Sequence, residues 1–147
     1  MRLWHQDLII YLPKKQLLGQ WRELIAIMRD WERKENNIDK KGAYACDHPL
    51  VKYVQQYDKK YFYAYAYKIY THMKRKKIKV NPKLLEEIRE FSNSKTIPKR
   101  LKYYKHHNNL YLKVCYYNLL EKYKCNMIPS SEWYFLNNYV RKNLMEV

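Results

Sequence analysis

The sequence predicts an all-α fold, compact and built as a single domain over residues 1–147. Three observations predict it. Only two residues are glycine, apolar side chains recur at helical spacings over most of the chain, and the alternation of a half-buried strand is nearly absent. A chain of this length buries most of its apolar surface around one core without disulfides.

Everything before Pro13 is expected to be an extended arm. Its Leu3, Leu8, Ile9, Ile10 and Leu12 are too apolar to hang in water, so the arm should pack against or between the helices. The first helix should start near Pro13 and run to about Glu35, because Leu17, Leu18, Trp21, Leu24, Ile25, Met28 and Trp31 share one stripe. Asn36 to Cys46, with Gly42, reads as a basic loop, and Pro49 opens the next helix. That helix is predicted to reach Lys77. Val54, Tyr61, Phe62, Tyr65, Ile69 and Met73 would face inward, and Lys52, Lys59, Lys60, Lys68 and Lys74 outward. Asn81-Pro82 starts a short helix through Phe91, and Ser92 to Pro98 reads as a loop. Two more helices are predicted, about Asn109 to Lys124 and about Ser130 to Leu144, the last capped by Ser130 or Ser131.

Lys and Arg number 30 against 14 Asp and Glu, a formal charge of +16 spread along the whole chain. Such an excess also keeps a lysine-rich protein soluble. Its interleaving with 17 tyrosines and 4 tryptophans favours a nucleic-acid partner, although helical tyrosines alone often fill a core. Cys46, Cys115 and Cys125 are an odd count without zinc spacing, and neither a signal peptide nor a membrane-length apolar run is present. A reduced, intracellular protein is expected, with Cys115 a small core residue. His106-His107 are adjacent and cannot both face one metal from a helix, and P-loop, dinucleotide and serine-elbow motifs are missing. Neither metal nor cofactor is therefore expected. His48, just before a helix start, reads as a cap or a surface residue.

The candidate chemistry lies near the amino terminus. A terminal amine titrates near 7.7 to 8.0 against about 10.4 for lysine, so roughly a tenth of it is already nucleophilic at pH 7. Arg2 is a bulky second residue that is expected to keep Met1 in place, which makes the Met1 amine the candidate nucleophile. Glu23 sits beside the apolar stripe, one turn beyond Gly19, and a helical glycine costs about 1 kcal/mol relative to alanine. Two readings fit that spacing. Either the arm crosses the helix at Gly19 and brings Met1 to Glu23, or Glu23 is a solvated carboxylate and Gly19 an accident, the more ordinary outcome. Lys15, Arg22 and Arg29 repeat every seven residues and draw a basic stripe beside Glu23. It is either a solvated face or a phosphate track.

Met1-Arg2-Leu3-Trp4-His5, then Gln16-Leu17-Leu18-Gly19-Gln20-Trp21-Arg22-Glu23-Leu24, resembles the opening of the pyrimidine-dimer DNA glycosylases of the phage endonuclease V type. His48-Pro49-Leu50-Val51-Lys52-Tyr53-Val54, with Tyr57-Asp58-Lys59, Met73-Lys74-Arg75 and Ile78-Lys79-Val80, is similar to that family's second helix and its basic end. The likeness covers roughly the first 80 residues well and the last third loosely. It implies a compact helical enzyme without metal, acting on double-stranded damaged DNA. By resemblance, the Met1 amine attacks C1′ of the damaged nucleotide and Glu23 assists ring opening and proton transfer, with β-elimination at the resulting imine. Arg2 and Arg22 match family positions on phosphate or the lesion strand, and His48 matches a histidine near the site. Two departures stand out: Met1 is retained where some relatives begin with a small residue, and a second family arginine is Ala26 here, with Arg29 one turn on. Lys102-Tyr103-Tyr104-Lys105 is either a DNA-holding aromatic run or a surface loop. The expected protein is a monomeric glycosylase with abasic-site lyase activity. The alternatives are a lyase or glycosylase for other lesions, and a non-catalytic DNA or RNA binder.

Overall fold

Pro13 fixes where the arm ends and the first helix begins. The computed structural model describes residues 2–37, 48–95 and 104–144. In it Pro13 is the N-cap of α1 (Lys14–Glu35) and offers no side-chain cap bond. A distant carboxylate substitutes, Glu132 Oε2 accepting the Lys14 N–H at 2.7 Å. Along α1, Leu17, Trp21, Leu24, Met28 and Trp31 are buried as the stripe predicts. Leu18 and Ile25 are half-buried, and Ile27 joins the core instead.

The arm is packed inside the protein, with Leu3, Leu8, Ile9 and Leu12 each at most 1% exposed. It is not extended throughout. Gln6–Tyr11 forms a 3-10 helix, begun by His5, whose Nδ1 accepts the Asp7 N–H at 3.1 Å.

The long helix predicted from Pro49 to Lys77 is two helices, α2 (Pro49–Gln55) and α3 (Lys59–Arg75). Asp58 makes the break. Its backbone leaves the helical region (φ −59°, ψ 138°) and its carboxylate accepts the Lys60 N–H at 2.9 Å, a bond available only outside a continuous helix. The predicted inward residues of α3 are buried, Tyr61 only partly, but Lys68 does not face outward. Its Nζ turns back to donate to the Gln6 carbonyl at 2.8 Å.

Asn81 caps α4 (Pro82–Phe91), and Asn108 caps α5 (Asn109–Lys124). Neither Ser130 nor Ser131 caps α6 (Ser130–Tyr139): Pro129 holds the N-cap position without a side-chain bond, and a π-helical turn, Val140–Leu144, follows. Asn37, Asn93 and Asn126 take φ of 53°, 52° and 60° just beyond α1, α4 and α5. In a chain with two glycines, asparagine supplies the left-handed turn that ends a helix. The arm and α1 to α6 contribute to one hydrophobic cluster, and no strand occurs among the described residues. Most of the predicted Asn36–Cys46 loop and the end of the Ser92–Pro98 loop lie outside the described residues.

Candidate active site on the amino-terminal arm

A buried strip of backbone needs partners, and the arm finds them in side chains of α1, α3 and α5. The Trp4 N–H donates to Gln20 Oε1 at 2.8 Å, and the Tyr65 hydroxyl donates to the Trp4 carbonyl at 2.7 Å while lying 2.9 Å from Gln20 Oε1. The Tyr111 hydroxyl donates to the Leu3 carbonyl at 2.5 Å. Further along, Gln6 N–H donates to His107 Nδ1 and Gln6 Oε1 accepts the Tyr104 N–H, both at 3.1 Å. Each pairing satisfies a backbone or amide group that would otherwise be buried unbonded.

Gln20 joins this clamp to the candidate carboxylate. It is 1% exposed, and its Nε2 donates to Glu23 Oε2 at 3.1 Å. Glu23 is half-buried. Burial raises its pKa above the ordinary carboxylate value, opposed by the positive charge of the amino terminus and by the Arg2 backbone N–H. The Arg2 guanidinium lies 5.8 Å from the centroid of the Trp4 ring, and its charge favours ionisation of Tyr111 and Cys115 against the dominant effect of burial. Arg2, Glu23, Gln20 and Tyr111 thus converge where the arm enters the core.

The other sequence candidates are dispersed. Met1 lies outside the described residues. Lys15 and Arg22 are exposed on α1. Arg29 is held by acids, its Nη2 at 2.6 Å from Glu87 Oε2 on α4 and its Nη1 at 3.5 Å from Glu32 Oε1. His48 is exposed and caps α2, its Nδ1 accepting the Leu50 N–H at 3.1 Å. Among the described residues nothing lies within 4 Å of a Cβ built at Gly19. The described part of the arm therefore does not use that space, and Gln20 rather than Gly19 engages it. Tyr104 is 1% exposed and belongs to the core, so it is neither a surface-loop residue nor a DNA platform. Lys102 and Tyr103 lie outside the described residues. Cys115 is buried, and no group of three potential metal ligands occurs among the described residues.

Sequence reasoning missed Gln20, Tyr65, Tyr111 and His107. The signal for Gln20 was a polar side chain on the apolar stripe, between Leu17 and Trp21 and in register with Leu24 and Ile27. The tyrosines gave no such signal, because a helical tyrosine looks the same whether its hydroxyl meets water or a buried carbonyl.

The chain is thus a basic helical protein whose arm is clamped into the core beside a half-buried carboxylate. Residues 1–86 match the family model described as pyrimidine dimer DNA glycosylase. That is more than half of the 147 residues, and the chain belongs to that family. The activity class is thus DNA glycosylase, and the substrate is DNA. The match covers the arm, α1 to α3 and the first half of α4. No curated protein and no solved structure matches the chain.

Proposed function

We propose that the protein excises a base at ultraviolet pyrimidine dimers and then cuts the strand, through an imine on the α-amine of Met1. The observation that carries this reading is that the charge of the amino terminus and the Arg2 backbone N–H both favour the Glu23 anion against its burial. Covalent geometry keeps the α-amine of a preceding residue within about 4 Å of the next peptide nitrogen. That adjacency in the chain supports a Met1 amine acting beside Glu23.

The steps follow from that proximity. The neutral amine attacks C1′ of the damaged nucleotide, the C1′–N bond breaks, and its electron pair leaves with the base, which takes a proton. Glu23 moves protons as the sugar ring opens and the imine forms. The imine acidifies the C2′ protons; loss of one breaks the C3′–O bond and frees the phosphate, and water then releases the amine. A carboxyl group raised by burial suits this work because it exchanges protons closer to neutrality. Arg2, Arg22 and Lys15 supply positive charge for backbone phosphates, while Arg29, held by Glu87 and Glu32, and His48, whose Nδ1 caps α2, are lesser contributors.

Borohydride added during turnover of dimer-containing or abasic duplex should trap one covalent adduct on the peptide that contains Met1. An adduct confined to an internal lysine would remove the amine from the mechanism. Glu23→Gln should bind DNA as before and lose cleavage by at least about 100-fold; unchanged turnover would exclude Glu23.

A further inference from the structure

A second cavity, of about 510 Å³, opens where the 3-10 helix, the end of α3 and the α6 region meet. It shares no residue with the arm site around Arg2, Gln20 and Glu23. Its position is well separated: His72 on its wall is seven residues beyond Tyr65, about 10 Å along α3.

Two kinds of side chain line it. One wall is aromatic. Tyr11 and Tyr139 stack with ring centroids 3.9 Å apart, and Phe135 tilts against Tyr11 at 5.1 Å while remaining 57% exposed. The other wall is cationic, with exposed Arg75 and Lys142 at the rim and Lys76 behind them. No described lining residue is acidic. Lys76 is partly offset by the charge of Glu132, which lies outside the lining. Lys76 Nζ donates to the Leu12 carbonyl at 2.6 Å, and the nearest partner of Arg75 is the imidazole of His72, 3.3 Å from its Nη1. Burial and the charges of Arg75, Lys68 and Lys76 push His72 down to about 4, so the imidazole is neutral and adds no charge of its own.

A cationic wall with no carboxylate in its described lining asks for an anion, and an exposed aromatic face asks for a flat ring. We propose that this cavity binds one nucleotide unit, its phosphate held by Arg75 and Lys142 and its base stacked on Phe135 beside the Tyr11–Tyr139 pair. The volume is that of a small-ligand pocket. Stacking on an aromatic face tolerates any base, so the site grips nucleotides without reading them. Half of it comes from the α6 region, outside the family match, and it does not depend on the Met1 chemistry.

Binding of thymidine 5′-monophosphate, a short oligothymidylate and inorganic phosphate to the intact protein tests the assignment, with Tyr11 and Tyr139 ring signals followed by NMR. Both thymidine ligands should perturb those signals and bind more tightly than phosphate. Phe135→Ala and the Arg75→Ala, Lys142→Ala double variant, all at exposed positions, should each weaken nucleotide binding about tenfold with an unchanged melting temperature. Preference for the oligonucleotide would make the pocket a single-strand subsite, and equal affinity would make it a site for free nucleotides. Phosphate binding as tightly as the nucleotide, or affinity untouched by these substitutions, would overturn the proposal.

Discussion

Glu23 is a carboxylate whose surroundings disfavour its charge. Its folded-state pKa is raised by burial, so its contribution to stability is complete below the ordinary carboxylate value near 4.5 and is lost as pH rises through the raised value. At pH 7 the ionised group therefore weakens the fold. Glu23→Gln keeps an oxygen to accept from Gln20 and removes the charge, so its melting temperature at pH 7 should match or exceed that of the parent. A fall of several degrees would make Glu23 a structural residue. Gln20 has the opposite character. Gln20→Leu leaves the buried Trp4 N–H without an acceptor, which costs about 1–3 kcal/mol by denaturant titration. It also removes a donor that favours the Glu23 anion, so the acid limb of the cleavage-rate profile should move to higher pH while KM for abasic duplex changes less than kcat. The half-burial of Glu23 was not legible from spacing, which favoured a solvated carboxylate; the residue became a candidate through the family resemblance. Nor was the role of Gln20 legible, because one amide within an apolar stripe reveals neither its two acceptor contacts nor its donor.

At the scale of elements, periodicity explains both what the sequence displays and what it hides. The α1 stripe is readable because its apolar positions follow a 3.6-residue repeat that buries one face. The break between α2 and α3 is hidden because Val54, Tyr57 and Tyr61 carry the same repeat across it, and only the cap formed by Asp58 interrupts the backbone. The burial of the arm was readable from its apolar content, whereas its 3-10 turn depends on the local bond from Asp7 N–H to His5. That turn is held at its far side by histidines. His107, 7% exposed, accepts the Gln6 N–H and stacks on His5 with centroids 5.2 Å apart. Burial, then the charges of His106 and His5, pushes His107 down to about 2 from 6.5, and burial lowers His5 as well. The unfolded chain takes these protons first, so the stability they confer is complete above pH 6.5 and falls as pH drops below it. The largest of these shifts is that of His107, so it dominates the loss below pH 6.5. Thermal melts should show a steep loss between pH 6.5 and 5, shallower in His107→Gln, and a flat profile would show that the histidines do not anchor the arm.

For the whole molecule, a charge of +16 governs how DNA is met, but the cations differ in what they are free to do. Among the described residues no ion pair involves Lys15 or Arg22, whereas Arg29 bridges α1 to Glu87 on α4. A cation that neutralises a phosphate releases counterions, and each such contact adds about 0.9 to the slope of log affinity against log salt. Arg22→Ala and Lys15→Ala should each lower that slope by about this amount on undamaged duplex and leave the melting temperature within a degree or two. Arg29→Ala should leave the slope nearly unchanged and lower stability instead, because it frees two carboxylates and unties two helices. Salt titrations of the three variants with one duplex separate the outcomes. If Arg29→Ala lowers the slope as much as Arg22→Ala, Arg29 must exchange Glu87 for phosphate on binding, and the basic stripe would then run through Lys15, Arg22 and Arg29 as their seven-residue spacing suggests.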